Sequence, residues 1–498
     1  MVRLRRIVVL AGICVAGSFG SCGTVVDTIT VDAAITLQTV TGWEAHARAW
    51  EEDKQRNAYD PSWRSNAAAI ADRMVNELGI NRIQVPLRSG WINPVDYWAK
   101  FEAGTLSYTQ WSMHRYEKVK GPIQFSEFDF RVETMVLPMA QALAKRGEKL
   151  YVNLGVVDFS TAGYLQGSLN LAANPSEYAA FVLACFDRLK TKYGITADAL
   201  ELNNEPENTR WNGAQMGAAL VAAKKKLEAA GYTGVNYIGP STSAAFRTRQ
   251  YADPLLAVPG AAQALTTLSY HRYDNPNSAT IAALDAYAKR RGLETDMSEW
   301  INATANTLIE DLTVGNVSSW QKWAVAIRTG SRNPQAFYYL ADLTNPASPV
   351  LRMAPNTAFM AAYFRQVRLG AVRIAAHSSV ATRRPVAFVN TNGSYVVVVK
   401  TSAGTGSKPV TLTGLRPGAY GVRITSYSEQ VTDLADVATG ADGSLTLAIG
   451  DGFTTIYGKS DPSQPADTND RTRLDPRGVR PTRGRNVFAG ESVQRRPL

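Results

Sequence analysis

The sequence predicts an α/β fold, a (β/α)8 barrel (TIM barrel) followed by a β-sandwich, on three observations. Strand-like and helix-like stretches alternate from residue 41 to residue 370, the order a parallel barrel requires. From residue 371 the pattern changes to short strands separated by Asn392-Gly393, Pro417-Gly418 and Asp442-Gly443 turns, as in a sandwich. A chain of 498 residues also has room for a barrel of roughly 250 to 300 residues and a second domain of about 100.

Taken in order, residues 27–40 alternate as sheet strands do before any helix begins. The eight barrel strands are expected at 39–43, 80–87, 149–157, 200–205, 235–238, 265–270, 293–297 and 336–340. Each has period-two alternation or a short apolar run bounded by turn residues. Between them, Ile70, Met74 and Leu78 share one helix face, and Asn174-Pro175 has the look of a helix start. The 91–116 segment carries Trp91, Tyr97, Trp98, Phe101, Tyr108 and Trp111. A small separate core and a sugar-binding cleft account for it equally well. Residues 371–458 form the sandwich, and 459–498, rich in Pro, Asp and Arg with few apolar residues, read as a disordered basic tail.

Two glutamates organise the barrel. The run A-L-E-L-N-N-E-P ends a strand at Glu205, where Pro206 stops it, and L-E-T-D-M-S-E-W ends another at Glu299. A parallel barrel keeps its chemistry at the C-terminal ends of its strands. Two strand-end carboxyls flanking a sugar are what glycoside hydrolysis needs, one to attack the anomeric carbon and one to protonate the leaving oxygen. Glu299 is the better nucleophile and Glu205 the better proton donor, with Glu201, Glu207 and Asp296 as alternatives. Trp211 and Trp300 lie beside the pair in sequence and are candidate sugar platforms.

Composition narrows the partners. A net charge of +10 suits acidic glycans, phospholipid or lipopolysaccharide. No basic stretch interleaved with aromatics forms a nucleic-acid module, so nucleic acid is not expected. The four histidines, His46, His114, His271 and His377, are too scattered for a ligand motif; neither metal nor cofactor is expected, and the protein should be a monomer. Residues 1–22 read as an export signal, with Arg3, Arg5 and Arg6 ahead of the apolar run 7–16. Gly20-Ser21-Cys22 resembles a bacterial lipobox, which would make Cys22 a lipid anchor and the protein a cell-surface or periplasmic lipoprotein. Ordinary signal cleavage and secretion is the alternative. With Cys14 inside the leader, Cys185 is the only other thiol, on the apolar face of a helix.

Together these residues resemble a known family. I-T-V-D-A-A-I-T-L-Q-T-V-T-G-W (29–43), N-N-E-P (203–206), S-Y-H-R-Y (269–273), M-S-E-W (297–300) and R-L-G-A-V-R-I (368–374) stand in the order seen in clan A glycoside hydrolases. They are most similar to glycoside hydrolase family thirty, over residues 27–458. The resemblance implies a side β-sandwich that takes strands from both chain ends, so that residues 23–40 join it and 41–370 form the catalytic barrel. It also implies retaining hydrolysis of β-linked oligo- or polysaccharides, as in polysaccharide degradation, with Glu205 as acid/base and Glu299 as nucleophile. Asn204 then matches the residue that bonds the sugar 2-hydroxyl, and His271 and Tyr273 match site-lining positions. Three positions depart from the family. Gln84 stands where an arginine is usual, with Arg82 or Arg88 as its substitute. Trp43 begins the segment that replaces a glycine-rich turn, and Tyr339 replaces a tryptophan ending the eighth strand. Trp43 and Tyr339 are accordingly expected among the substrate-binding residues. Two other functions remain open: a transglycosylase using the same covalent intermediate, and a non-catalytic glycan-binding lipoprotein on the same barrel.

Overall fold

The computed structural model describes residues 26–49, 52–53 and 56–459. The expected leader, Cys22 and the tail beyond Lys459 lie outside the described residues.

Eight parallel strands close into a barrel: Gly42–Ala49, Arg82–Arg88, Tyr151–Val157, Ala199–Glu201, Asn236–Thr242, Thr267–His271, Glu294–Glu299 and Ser319–Arg328. The eighth pairs on one side with the seventh, Asp296 beside Ser319, and on the other with the first, Ser319 beside Gly42. Seven strands overlap the segments the sequence marks, although the first, expected at 39–43, begins only at Gly42 and the fourth, expected to reach Glu205, ends at Glu201. The eighth does not. Residues 336–340 belong to an additional strand, Phe337–Asp342, which lies against the outer half of the true eighth strand and continues into Val350–Met353. The error has a physical cause. The true strand, S-W-Q-K-W-A-V-A-I-R, buries Ser319, Gln321 and Lys322, so its apolar signal is interrupted where it matters. The aromatic run 337–340 imitates a core strand more faithfully.

The barrel interior is polar as well as packed. Arg82 donates to Glu44 at 2.9 Å and to Asp296 at 3.2 Å, all three almost fully buried. Asn153 donates to Glu44 at 3.2 Å and to Glu201 at 3.4 Å, and Gln84 donates to Glu201. Burial pushes the Glu44 carboxyl up to about 7, against the pull of Arg82 beside it. The aliphatic mass lies outside the barrel, between strands and helices. There the helix Pro175–Tyr193 presents Tyr178, Phe181, Val182, Cys185 and Leu189 to the core. Pro175 opens that helix as expected, but the Asn174 side chain does not cap it and donates to the Asn170 carbonyl instead.

The second sheet curls beside the barrel. Its long N-terminal strand, Asp27–Thr39, runs antiparallel to Val372–Ser378 and parallel to Lys408–Thr413, so both ends of the described chain build it. The strand Tyr395–Thr401 shows why the sequence reads V-V-V-V there. Val397 and Val399 face the sheet's own core with Ile29, Val31 and Leu412. Val396 and Val398 pack with Phe453, Phe359 and Tyr363 on the barrel side. The aromatic insert after the second strand is a core of its own: Trp98, Phe101, Tyr108, Trp111 and Phe130 pack together.

The buried ion triad should dominate the stability of the barrel floor. Arg82→Met leaves two buried carboxylates unpaired, at a cost of roughly 3 to 5 kcal/mol. Urea denaturation at neutral pH should show that loss, and it should shrink as acid protonates Glu44.

Candidate active site

The fourth strand is short, and its continuation places Glu205 by two backbone bonds. The Asn204 N–H donates to the Val156 carbonyl at 2.8 Å and the Glu205 N–H to the Ser241 carbonyl at 2.9 Å. Glu205 adopts φ 47°, ψ 66°, the left-handed region that costs a branched or bulky residue energy and persists where the surroundings impose it. Strain of this kind at a carboxylate on the C-terminal rim of a barrel points to a site held in place for chemistry.

Above the floor, three titratable groups meet. A ring nitrogen of His271 and one carboxylate oxygen each of Glu205 and Glu299 all lie within 4.8 Å of one another. Among the described residues this is also the one cluster of His, Cys, Asp or Glu able to ligate a cation. His271 Nδ1 stands 3.1 Å from Glu205 Oε1, Asn208 Nδ2 donates to Glu205 Oε2 at 2.8 Å, and the Tyr273 hydroxyl donates to Glu299 Oε1 at 2.6 Å. His271 is fully buried, and Glu205 keeps only a small exposed edge. Trp300 packs edge-on against Tyr273, with ring centroids 5.3 Å apart.

The electrostatics separate the two glutamates. Burial pushes the Glu205 carboxyl up, but the His271 hydrogen bond and charge, with Asn208, more than offset it and hold it below its usual range. Burial raises Glu299 to about 7; His271 and the Tyr273 hydroxyl pull it down, while Glu205 and Glu201 push it further up. Burial alone would lower His271, yet the Glu205 hydrogen bond and the charges of Glu299, Glu205 and Glu201 raise it to about 9. At neutral pH the shared proton therefore sits on His271, and Glu299 is close to half-ionised.

Of the residues expected here, Glu205, Glu299, His271, Tyr273 and Trp300 come together, with Asn204 adjacent in the chain. Three others do not. Trp43 begins the first barrel strand, at the opposite end from the chemistry; its indole N–H donates to the Val367 carbonyl at 2.7 Å and its ring stacks on Phe364. Tyr339, on the additional strand, donates its hydroxyl to Glu77 and to the Arg73 carbonyl. Trp211 is buried, with its N–H on Asp158 at 3.0 Å and its ring edge-on to Tyr178. Each has a structural partner for its polar atom. Neither arginine stands in for Gln84 at the pair, since Arg82 bonds the barrel floor and Arg88 pairs with Glu127 at 2.5 Å. The alternative carboxylates are likewise engaged: Glu201 by Gln84, Asp296 by Arg82 and the Ser319 N–H, and Glu207 by Ser243 and the Ala244 N–H. Sequence reading missed Asn208. Its position three residues after Glu205, across a proline turn, was the available signal.

No known family's sequence profile matches the chain, and no curated protein matches it. Solved structures do. The catalytic domain of a family 30 xylanase C from Talaromyces cellulolyticus is 15% identical, with a TM-score of 0.62, covering 87% of this chain and 100% of its own. A family 30 subfamily 8 xylanase from Clostridium acetobutylicum is 18% identical with a TM-score of 0.60, over 87% and 100%. The fold is shared. An endo-β1,6-glucanase, BT3312, at 15% identity and a TM-score of 0.59, covers 87% and 94%. These neighbours have the same barrel with a side β-sandwich, the architecture that the sequence resemblance implied.

The charge balance at His271 can be read without any substrate. His271 should titrate near 9 by NMR of its imidazole. Glu205→Gln removes the carboxylate that donates most to that shift and should lower it by about one unit or more. An unshifted His271 in that variant would place its proton elsewhere.

Proposed function

We propose that this protein is a retaining glycoside hydrolase acting on β-linked glycans, with Glu299 as nucleophile and Glu205 as acid/base. One observation carries the reading: two strand-end carboxylates whose oxygens stand within 4.8 Å. Retaining enzymes hold their carboxyls about 5 to 5.5 Å apart, whereas inverting ones leave roughly 6.5 to 9.5 Å for a water. The fold neighbours named for xylan and for β1,6-glucan cleavage support a β-linked glycan substrate. The leader with Cys22 supports export, with the chain anchored by lipid or secreted.

In this mechanism Tyr273 holds Glu299 Oε1 toward the anomeric carbon and stabilises the carboxylate that attacks. His271 stores the proton. Its transfer across the 3.1 Å hydrogen bond converts Glu205 into the acid that releases the leaving oxygen. Once Glu299 is esterified its negative charge is gone, and Glu205 can take a proton from water, with His271 again sharing it. In this reading Asn204, next to Glu205 in the chain, bonds the sugar. Trp300 supports Tyr273 from the side.

Two outcomes follow. The first concerns pH. kcat/KM should rise as Glu299 ionises near 7 and fall as the His271–Glu205 pair loses its proton near 9, giving a bell with its maximum at about 8. An optimum below pH 6 would contradict this proton distribution. The second assigns the roles. With an activated aryl β-glycoside, Glu205→Ala still forms the glycosyl-enzyme, and added azide should enter from the β face to give the β-glycosyl azide. In Glu299→Ala azide should attack from the opposite face and give the α-anomer. Reversed anomers would exchange the two roles, and full hydrolysis by either variant would remove that glutamate from the mechanism.

A further inference from the structure

The rim of the barrel carries an aromatic ring that the core does not need. Phe246 is 55% exposed, the most exposed of the large apolar side chains among the described residues. Exposed apolar residues scattered singly are ordinary, so exposure by itself means little. The backbone beneath this one is unusual in being tied on both sides to the catalytic turns. Phe246 lies in the short turn Ala245–Arg247 directly after the fifth barrel strand. The Ala245 and Phe246 N–H groups donate to the Asp274 carboxylate at 3.0 and 3.2 Å. Ala244 bridges to Arg272, and the Tyr273 N–H donates to the Ser243 carbonyl at 3.1 Å. On the other side Glu207, two residues after Glu205, accepts from the Ser243 hydroxyl at 2.8 Å and from the Ala244 N–H at 3.3 Å. Arg272 is itself pinned by Asp311 at 2.5 Å and Glu310 at 2.6 Å. The turn is rigid, and the ring it carries is offered to solvent. The Arg247 guanidinium lies over the ring, 5.4 Å from its centroid.

We propose that Phe246 is the stacking platform of a leaving-group subsite, receiving the pyranose ring released when the bond beside Glu205 breaks. This rests on the glycosidase reading and deepens it, because a built leaving-group subsite selects a glycan, not a small aglycone, on the released side of the bond. The side follows from the chemistry. The acid must reach the glycosidic oxygen, so the departing sugar lies on the Glu205 side of the cleft, while Glu299 lies beneath the sugar that stays. The fourth strand carries Glu205, and the Phe246 turn follows the fifth strand, its neighbour in the barrel. A β-linked pyranose with equatorial hydroxyls presents an apolar C–H face to a flat ring. A preordered phenyl group accepts that face with little entropy to lose. The same platform would hold an acceptor sugar in transglycosylation.

The test compares substrates that do and do not fill the subsite. Phe246→Ala should lower kcat/KM for a β1,4-xylo- or β1,6-gluco-tetrasaccharide about tenfold more than for the β-glycosyl fluoride of the same sugar, whose departing fluoride is too small to fill the subsite. That factor equals losing roughly 55 Å² of apolar contact, and it should appear mainly in KM. Phe246→Tyr keeps the ring and should restore the tetrasaccharide. Equal losses on both substrates, or no loss on either, overturn the platform. Should the wild type cleave nothing, the hydrolase reading fails on its own and the platform is judged by binding. Calorimetry on Glu299→Gln with and without Phe246→Ala should then show about tenfold weaker tetrasaccharide binding without the ring. Equal affinity, or no binding by either protein, overturns the platform.

Discussion

Arg82 inside the barrel is the interaction on which the site depends. Its guanidinium joins Glu44 of the first strand to Asp296 of the seventh, across the interior from its own place on the second strand. A lone carboxylate buried at either position would be prohibitively costly, and a guanidinium there without partners would be costlier still. Together the three draw strands one, two and seven inward at the floor. Asn153 and Gln84 carry the polar network upward to Glu201 on the fourth strand. Four residues further along that chain is Glu205.

Charge along this axis explains the unusual state of the upper cluster. Five carboxylates, Glu44, Asp296, Glu201, Glu205 and Glu299, share one interior with two cations, Arg82 and His271. Arg82 is spent on the floor. The upper three acids therefore lean on His271, whose proton is held until about pH 9, and Glu299, which burial raises more than His271 lowers it, gives up its own only near 7. A carboxylate at that poise exists in both charge states at neutral pH, as the nucleophile proposed here requires. Tyr273 then decides direction more than charge, since its 2.6 Å hydrogen bond holds one oxygen of Glu299 and leaves the other free.

Much of this was legible in the sequence, and the parts that were not share a cause. The strand end at Glu299-Trp300 was plain because punctuation and alternation coincide there, whereas the fourth strand ends at Glu201, before Pro206. The sandwich was plain because its strands are bounded by Asn-Gly, Pro-Gly and Asp-Gly turns. The eighth strand was hidden because its inward positions, Ser319 and Gln321, serve the polar axis, while buried Lys322 donates to the Pro355 carbonyl. Trp43, Tyr339 and Trp211 could not be sorted by sequence position. Each looks like a sugar platform until the partner of its N–H or O–H is known, and those partners, Val367, Glu77 and Asp158, are all remote in the chain. Phe246 escaped notice for the opposite reason. Nothing in the S-A-A-F-R run marks a rigid turn, because the rigidity comes from Asp274 and Glu207 on neighbouring loops.

The bonds around Ser241 and Ser243 connect these pieces. Glu205 is forced into a left-handed backbone in part because its N–H must reach the Ser241 carbonyl. Ser241 is itself at positive φ, 54°, so two strained residues face each other across strands four and five. Two residues on, Ser243 takes the Glu207 carboxylate with its hydroxyl and the Tyr273 N–H with its carbonyl. One short segment thus sets the backbone of Glu205, the position of Tyr273 beside Glu299 and the turn that displays Phe246. Strain at Glu205 is tolerated because relaxing it would break contacts on three loops at once. That coupling keeps the two carboxylates at their spacing. It also ties the fifth-strand loop, which contributes no side chain to the Glu205–His271–Glu299 cluster, to the backbone on which that cluster stands.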